Sequence, residues 1–213
     1  MTWFLFALMV QAAGTTLLIS FVAIAIGLVI GILVCGAMLS PSVVLRGPAR
    51  LYVSFFRGVP LLVQLLLFYH LLPAIGINIS SVAAALVALS LCTAAYQAEN
   101  LRGGFLSVSR GLLEAAEAVG MERLQRFRRV SVPIAIRLTI PALVNEAIGI
   151  LHASALISVV GVIELTKTAR NFAATTFDPL PFYACAGLLY LGLTYGVLGL
   201  GRAAERHLAV RHA

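Results

Sequence analysis

Charge placement constrains this chain more than any other feature. No Asp, Glu, Lys or Arg precedes Arg46, none falls between Arg57 and Glu99, and none falls between Asp178 and Arg202. Each interval is long enough to cross a hydrocarbon layer that needs about 20 residues of helix. Of the 213 residues, 61% are hydrophobic and 11% charged, with a mean hydropathy of +1.03, against the roughly 45–50% apolar usage of soluble domains. The chain therefore reads as an all-α polytopic membrane protein, a single transmembrane domain over residues 1–213 with no internal repeat.

Five spans are expected. The first runs from Gly14 to Leu39 and stops at Ser40-Pro41, with Gly27, Gly31 and Cys35 recurring on one face where another helix can approach closely. It carries no preceding Lys or Arg and is far longer than the apolar core of a signal peptide, so it is expected to be a retained span. The turn chemistry of Pro73 to Ser80 divides the next uncharged interval into spans near Val59–Leu72 and Ser81–Ala98. The polar stretch of about 99–132 still repeats Leu112, Leu113, Ala116, Val119, Leu124 and Phe127, the pattern of one amphipathic helix or a pair. From Pro133 to Leu165 a straight helix would reach about 50 Å, so this fourth segment must tilt, break or leave the bilayer. A fifth span near Phe182–Leu200 precedes a basic tail.

Counting charges fixes the orientation. With the N-terminus outside and the C-terminus in the cytoplasm, thirteen of the 15 basic residues face inward and only Lys167 and Arg170 face outward. The +7 net charge thus reads as cytoplasmic loops over anionic lipid, and no nucleic-acid partner is expected. Cys35, Cys92 and Cys185 lie within apolar runs and read as packing residues, and the histidines have no companions at metal spacing, so no metal site is expected.

The polar stretch also carries a pattern: Glu114-Ala115-Ala116, three residues, Gly120, nine residues, then Val130-Ser131-Val132-Pro133. It resembles the EAA loop of binding-protein-dependent ABC importers. Three further ordered blocks extend the resemblance: Phe56 to Gln64, Ala95 to Gly104, and Val159 to Thr166. Together they look like the polar amino acid permease branch, a type I importer-like fold of the bacterial inner membrane. The resemblance implies a non-catalytic chain that forms half of a solute pathway. It also implies that Glu114, Ala115, Ala116, Gly120 and Pro133 couple it to a separate ATPase. The chain has no phosphate loop, so ATP and magnesium would be held by an ABC ATPase dimer and the chain itself would carry no cofactor. A second permease chain, identical or sibling, and an extracytoplasmic solute-binding protein complete the implied assembly in the lipid bilayer.

Two physical readings accompany the loop. Its acids, Glu114 and Glu117, come early and its bases, Arg123 to Arg129, come late, as the dipole of one helix favours. Gly120 permits a bend, and Pro133 can begin the next span without forfeiting a needed donor. The alternative is a small secondary transporter or channel, its loop resting on lipid.

Candidate pathway residues are Gln64, Asn145, Glu146 and Ser154. Intramembrane polar groups are costly enough to mark a solute path, yet the same groups serve as interhelical ties, with a neighbouring hydroxyl or Arg137 as partner for Glu146. Relatives in this branch typically carry Lys-Asp-Thr-Ser-Leu where this chain has His152-Ala153-Ser154-Ala155-Leu156. Loss of that acid favours neutral or acidic over cationic solutes. Glu99 and Arg102, three apart, are placed to pair.

Overall fold

The computed structural model describes residues 2–210. Arg211 and His212 of the basic tail lie outside them. Four helical segments are long and apolar enough to cross a membrane, and a bent helix pair makes a fifth.

Helix α1 (Trp3–Leu39) ends where expected but starts well before Gly14, because Thr2 caps it and nothing polar enough to break it follows. Its 37 residues reach about 55 Å, so it extends beyond the bilayer. Helices α2 (Val43–Gly58) and α3 (Leu61–Ala74) meet at 107°. This corrects the second span: α3 alone has 14 residues, about 21 Å, and reaches across only together with α2. The bend follows from Val59-Pro60, since a residue before proline is held extended, here at φ −99° and ψ 134°.

Helix α4 (Ser81–Leu106) continues eight residues past the expected boundary at Ala98. Its charges do not end it because Glu99 and Arg102 neutralise each other within the helix, with Arg102 Nε donating to Glu99 Oε2 at 3.0 Å. The polar stretch therefore leaves the bundle at Ser107 rather than at residue 99. There α5 (Arg110–Ala118) and α6 (Arg123–Arg126) follow, then a widened turn, Phe127–Ser131, that runs into α7 (Val132–Ala153).

The fourth segment breaks. After Ala153 the chain tightens into a short 3-10 stretch, Ser154–Val160, turns at Gly161 with φ +90°, and starts α8 (Leu165–Thr176). Helix α8 was not expected: it is short and amphipathic, and its outward face looks like loop in a hydropathy profile. Helix α9 (Pro179–Val210) is longer at both ends than Phe182–Leu200.

Helix α4 is the centre of the bundle. It runs parallel to α1, and the small-residue stripe explains how closely. A Cβ on Gly27 would lie 2.3 Å from Thr93 Cγ2, and one on Gly31 would lie 3.1 Å from Ala94 O. Helix α7 crosses α4 antiparallel at Gly104, where a Cβ would meet Thr139 Oγ1 at 2.0 Å. Polar ties reinforce this packing: Gln97 Nε2 on α4 donates to Ile24 O on α1 at 3.2 Å. By this connectivity Arg46, Arg50, Arg57 and Arg102, α5, α6, the start of α7 and the end of α9 share one end of the bundle. Lys167 and Arg170 stand at the opposite end with exposed Trp3, Phe4, Phe177 and Leu180, aromatic and apolar residues of the kind found at membrane interfaces.

Candidate functional site: the loop at the basic end and the α7 polar residues

The loop at the basic end is a helix, a left-handed corner and a second helix. Helix α5 closes at Gly120, whose φ is +80°. Gly120 N donates to Glu117 O at 2.9 Å and Met121 N to Ala116 O at 3.1 Å, the paired bonds of a Schellman stop. Helix α6 then starts at Glu122, whose N–H donates to Gln125 Oε1 at 3.4 Å.

This geometry corrects the dipole argument. The acids and bases do not share one helix: Glu117 sits in the last turn of α5, where a carboxylate is disfavoured. Arg126 Nη1 instead donates to Glu117 Oε2 at 2.5 Å across the corner. Pro133 stands in the first turn of α7, as expected, with a widened helical turn rather than a loop before it. It removes the donor for Arg129 O, and just before it Val132 N bonds to Phe127 O, five residues back.

The motif residues divide by face. Ala116 is buried, whereas Glu114, Ala115 and Gly120 are exposed. Around them Leu112 is 50% exposed, Val119 74% and Leu124 64%. Such apolar side chains, on a segment that also exposes Arg110, Arg123, Arg128 and Arg129, form a surface that suits a partner groove. Phe127 anchors the loop to the bundle by stacking on Phe105, ring centroids 5.8 Å apart.

The pathway candidates are not gathered into one site. Gln64 is fully buried at the α2–α3 corner, with Nε2 donating to Phe56 O at 2.9 Å and Val59 O at 2.7 Å, while its Oε1 has no partner among the described residues. Ser154 is also fully buried and donates to Leu151 O at 2.7 Å. On α7, Glu146 accepts from Thr93 Oγ1 on α4 at 3.2 Å; among the described residues Arg137 forms no ion pair. Asn145 is exposed, in line along α7 with Pro141, Gly149 and His152, and His152 Nε2 lies 2.9 Å from Thr194 Oγ1 on α9.

One residue outside every candidate set is the most enclosed acid of the described chain. Glu164, fully buried, caps α8: its carboxyl accepts from Thr166 N at 2.8 Å, Lys167 N at 2.7 Å and Tyr190 Oη at 3.0 Å. Leu165 N, the remaining free donor of that first turn, donates to Thr16 Oγ1 of α1 at 3.1 Å. The sequence cue was an acid just before a helical pattern, Glu164-Leu165-Thr166, an N-cap arrangement.

Five spans, a broken fourth segment and a helix-corner-helix loop at the basic end are one arrangement, and residues 23–210 match the family described as binding-protein-dependent transport system inner membrane component. The chain belongs to that family. This permease is 40% identical over 185 residues to a probable amino-acid ABC transporter permease, YckA of Bacillus subtilis, covering 87% of the chain and 82% of the relative. It is 37% identical over 210 residues to the nopaline transport system permease NocM of Agrobacterium fabrum, covering 94% and 87%. Its fold superposes on a crystal structure of an amino acid ABC transporter with histidines at a TM-score of 0.89, with 34% identity and 94% of both chains covered. The inward-facing MetNI methionine ABC transporter shares the fold, with a TM-score of 0.82 at 24% identity and coverage of 98% and 99%. The permease is a transmembrane subunit of an ABC importer.

Proposed function

We propose that this permease is half of the path by which a bacterial inner membrane imports a polar amino acid, driven by ATP hydrolysed on a partner. The observation that carries the reading is the loop at the basic end: a Schellman corner at Gly120 holds two short helices with exposed Leu112, Val119 and Leu124. A groove on an ABC ATPase dimer, which binds ATP and magnesium, takes this surface. A second permease chain completes the path, and an extracytoplasmic binding protein delivers solute. Closure of the ATPase pair pulls the loops and switches which side of the path is open. The amino-acid and nopaline permeases among the relatives support the solute class. Glu146, held by Thr93, is the only acid of α7, so neutral or acidic solutes are favoured over cationic ones.

The test is purification from native membrane followed by mass spectrometry of companion chains, then uptake of radiolabelled amino acids into proteoliposomes. An ATP-binding chain is expected to co-purify, and uptake is expected to require ATP and that chain. Uptake of the same rate with the ATP-binding chain removed would overturn the reading.

The N-terminus is placed outside and the C-terminus in the cytoplasm, an orientation supported by the concentration of arginines at the loop end. With buried Cys35, Cys92 and Cys185 replaced, an impermeant thiol reagent is expected to label Ala74→Cys from outside and Arg206→Cys only after the cytoplasmic face is opened. The reverse pattern would invert the topology.

A further inference from the structure

A hollow of roughly 300 Å³ lies between α2 and α4, beside the end of α1, lined by Met38, Arg50, Ser54, Arg57, Glu99 and Arg102. Its charges do not balance. Glu99 is the one acid in the lining, and both its oxygens accept from Arg102. Arg50 and Arg57 form no ion pair among the described residues. Arg57 is nonetheless positioned, its guanidinium lying 5.2 Å from the centroid of the Tyr96 ring, a cation–π contact that leaves the edge donors free.

The level of the hollow identifies its surroundings. Met38 and Leu39 close the uncharged length of α1, and Glu99 is the first charge after the uncharged length of α4. Hydrocarbon therefore gives way to headgroups at this depth, and on α2 the exposed Leu51 and Phe55 flank Arg50 and Ser54 with apolar surface. Two uncompensated guanidiniums with forked donors, a hydroxyl and a lipid-level opening match one chemistry, an oxyanion that accepts several hydrogen bonds at once.

We propose that this hollow binds a phosphate oxyanion, presented by the headgroup of an anionic lipid in the leaflet at the basic end. The site is separate from the coupling loop, and it stands whatever solute the permease carries. Arg50 and Arg57 grip the phosphate, Ser54 adds a hydroxyl, and the Glu99–Arg102 pair forms the wall. Lipid bound here ties α2 to α4 next to the 107° corner.

The test is native mass spectrometry of the full chain with its co-purifying partners, in neutral detergent, titrated with phosphatidylglycerol or phosphatidylcholine of identical acyl chains. Wild type is expected to prefer phosphatidylglycerol by about tenfold or more, as two basic contacts at a membrane surface supply. Arg50→Gln/Arg57→Gln is expected to bring the two lipids within about twofold, whereas Arg50→Lys/Arg57→Lys keeps most of the preference. Arg202→Gln/Arg206→Gln removes equal charge from exposed positions near the end of α9 and is expected to leave the lipid preference unchanged. A third arm adds inorganic phosphate: persistence of bound phosphatidylglycerol at millimolar phosphate supports the lipid source, and its displacement supports the same site filled by a soluble anion. Equal loss of preference in the Arg202/Arg206 control, or undiminished preference in a folded Arg50→Gln/Arg57→Gln variant, would overturn the proposal.

Discussion

Glu164→Ala is expected to lower the melting temperature of the solubilised protein by about 6–12 °C, from a loss of about 3 kcal/mol at the 2–4 °C per kcal/mol of a chain this size. The carboxyl, with no exposed surface, is the only acceptor for Thr166 N and Lys167 N and also receives Tyr190 Oη. Alanine leaves two part-buried backbone donors without partners, each costing about 1–3 kcal/mol before relaxation, and takes from Tyr190 Oη its carboxylate acceptor, with Thr166 Oγ1 still 3.0 Å away. The damage is local because every partner lies on α8, on α9 or on the first half of α1. Limited proteolysis is therefore expected to cut new sites between Gly161 and Asp178 while the α1–α4 contact survives. Glu164→Gln retains one oxygen acceptor for the cap but turns an NH2 group toward a donor, so its shift is expected to be smaller. An unchanged melting temperature together with an uncut α8 in the alanine variant would show that water or rearranged side chains replace the carboxyl without cost.

That network also marks where the sequence stopped being legible. Long uncharged runs report spans because in a bilayer nothing else tolerates them, and the small-residue stripe of Gly27 and Gly31 reported a helix contact because only small residues permit one. A charge is a poor marker of a helix end in this chain: Glu99 and Arg102 cancel each other inside α4, so the helix passes through them to Leu106. The corner at Val59-Pro60 hid a broken span because hydropathy is blind to direction. Glu164 was legible only as a local cap; Thr16 and Tyr190 approach it from 148 residues upstream and 26 downstream, separations at which no sequence periodicity operates. In the loop the opposite held. The spacing from Glu114 to Pro133 marked it as one unit, while the left-handed Gly120 that splits its charges between two helices required coordinates.

Gly120→Trp is expected to reduce solute-stimulated ATP hydrolysis by the reconstituted complex about tenfold or more, which corresponds to about 1.4 kcal/mol of lost coupling. Two effects must be separated. Any L-residue at φ +80° meets a penalty of about 1–2 kcal/mol, with asparagine the mildest case, so substitution alone strains the stop of α5. The first carbon of a side chain finds open space: among the described residues a Cβ on Gly120 has no heavy atom within 4 Å. A large residue at this exposed corner projects where a partner seated on the loop would resist it. Gly120→Asn tests the backbone contribution, since it tolerates the left-handed corner and preserves the bonds from Gly120 N to Glu117 O and Met121 N to Ala116 O. It is expected to keep stimulation within about threefold of wild type, while tryptophan, which strains the same corner and adds an indole at the docking surface, uncouples. Membrane insertion should be equal in all three proteins because Gly120 lies outside every span. If both variants fall together, the corner's backbone geometry carries coupling. If a well-folded Gly120→Trp complex retains full stimulation, no partner surface lies against this corner and the loop transmits force from elsewhere on α5 or α6.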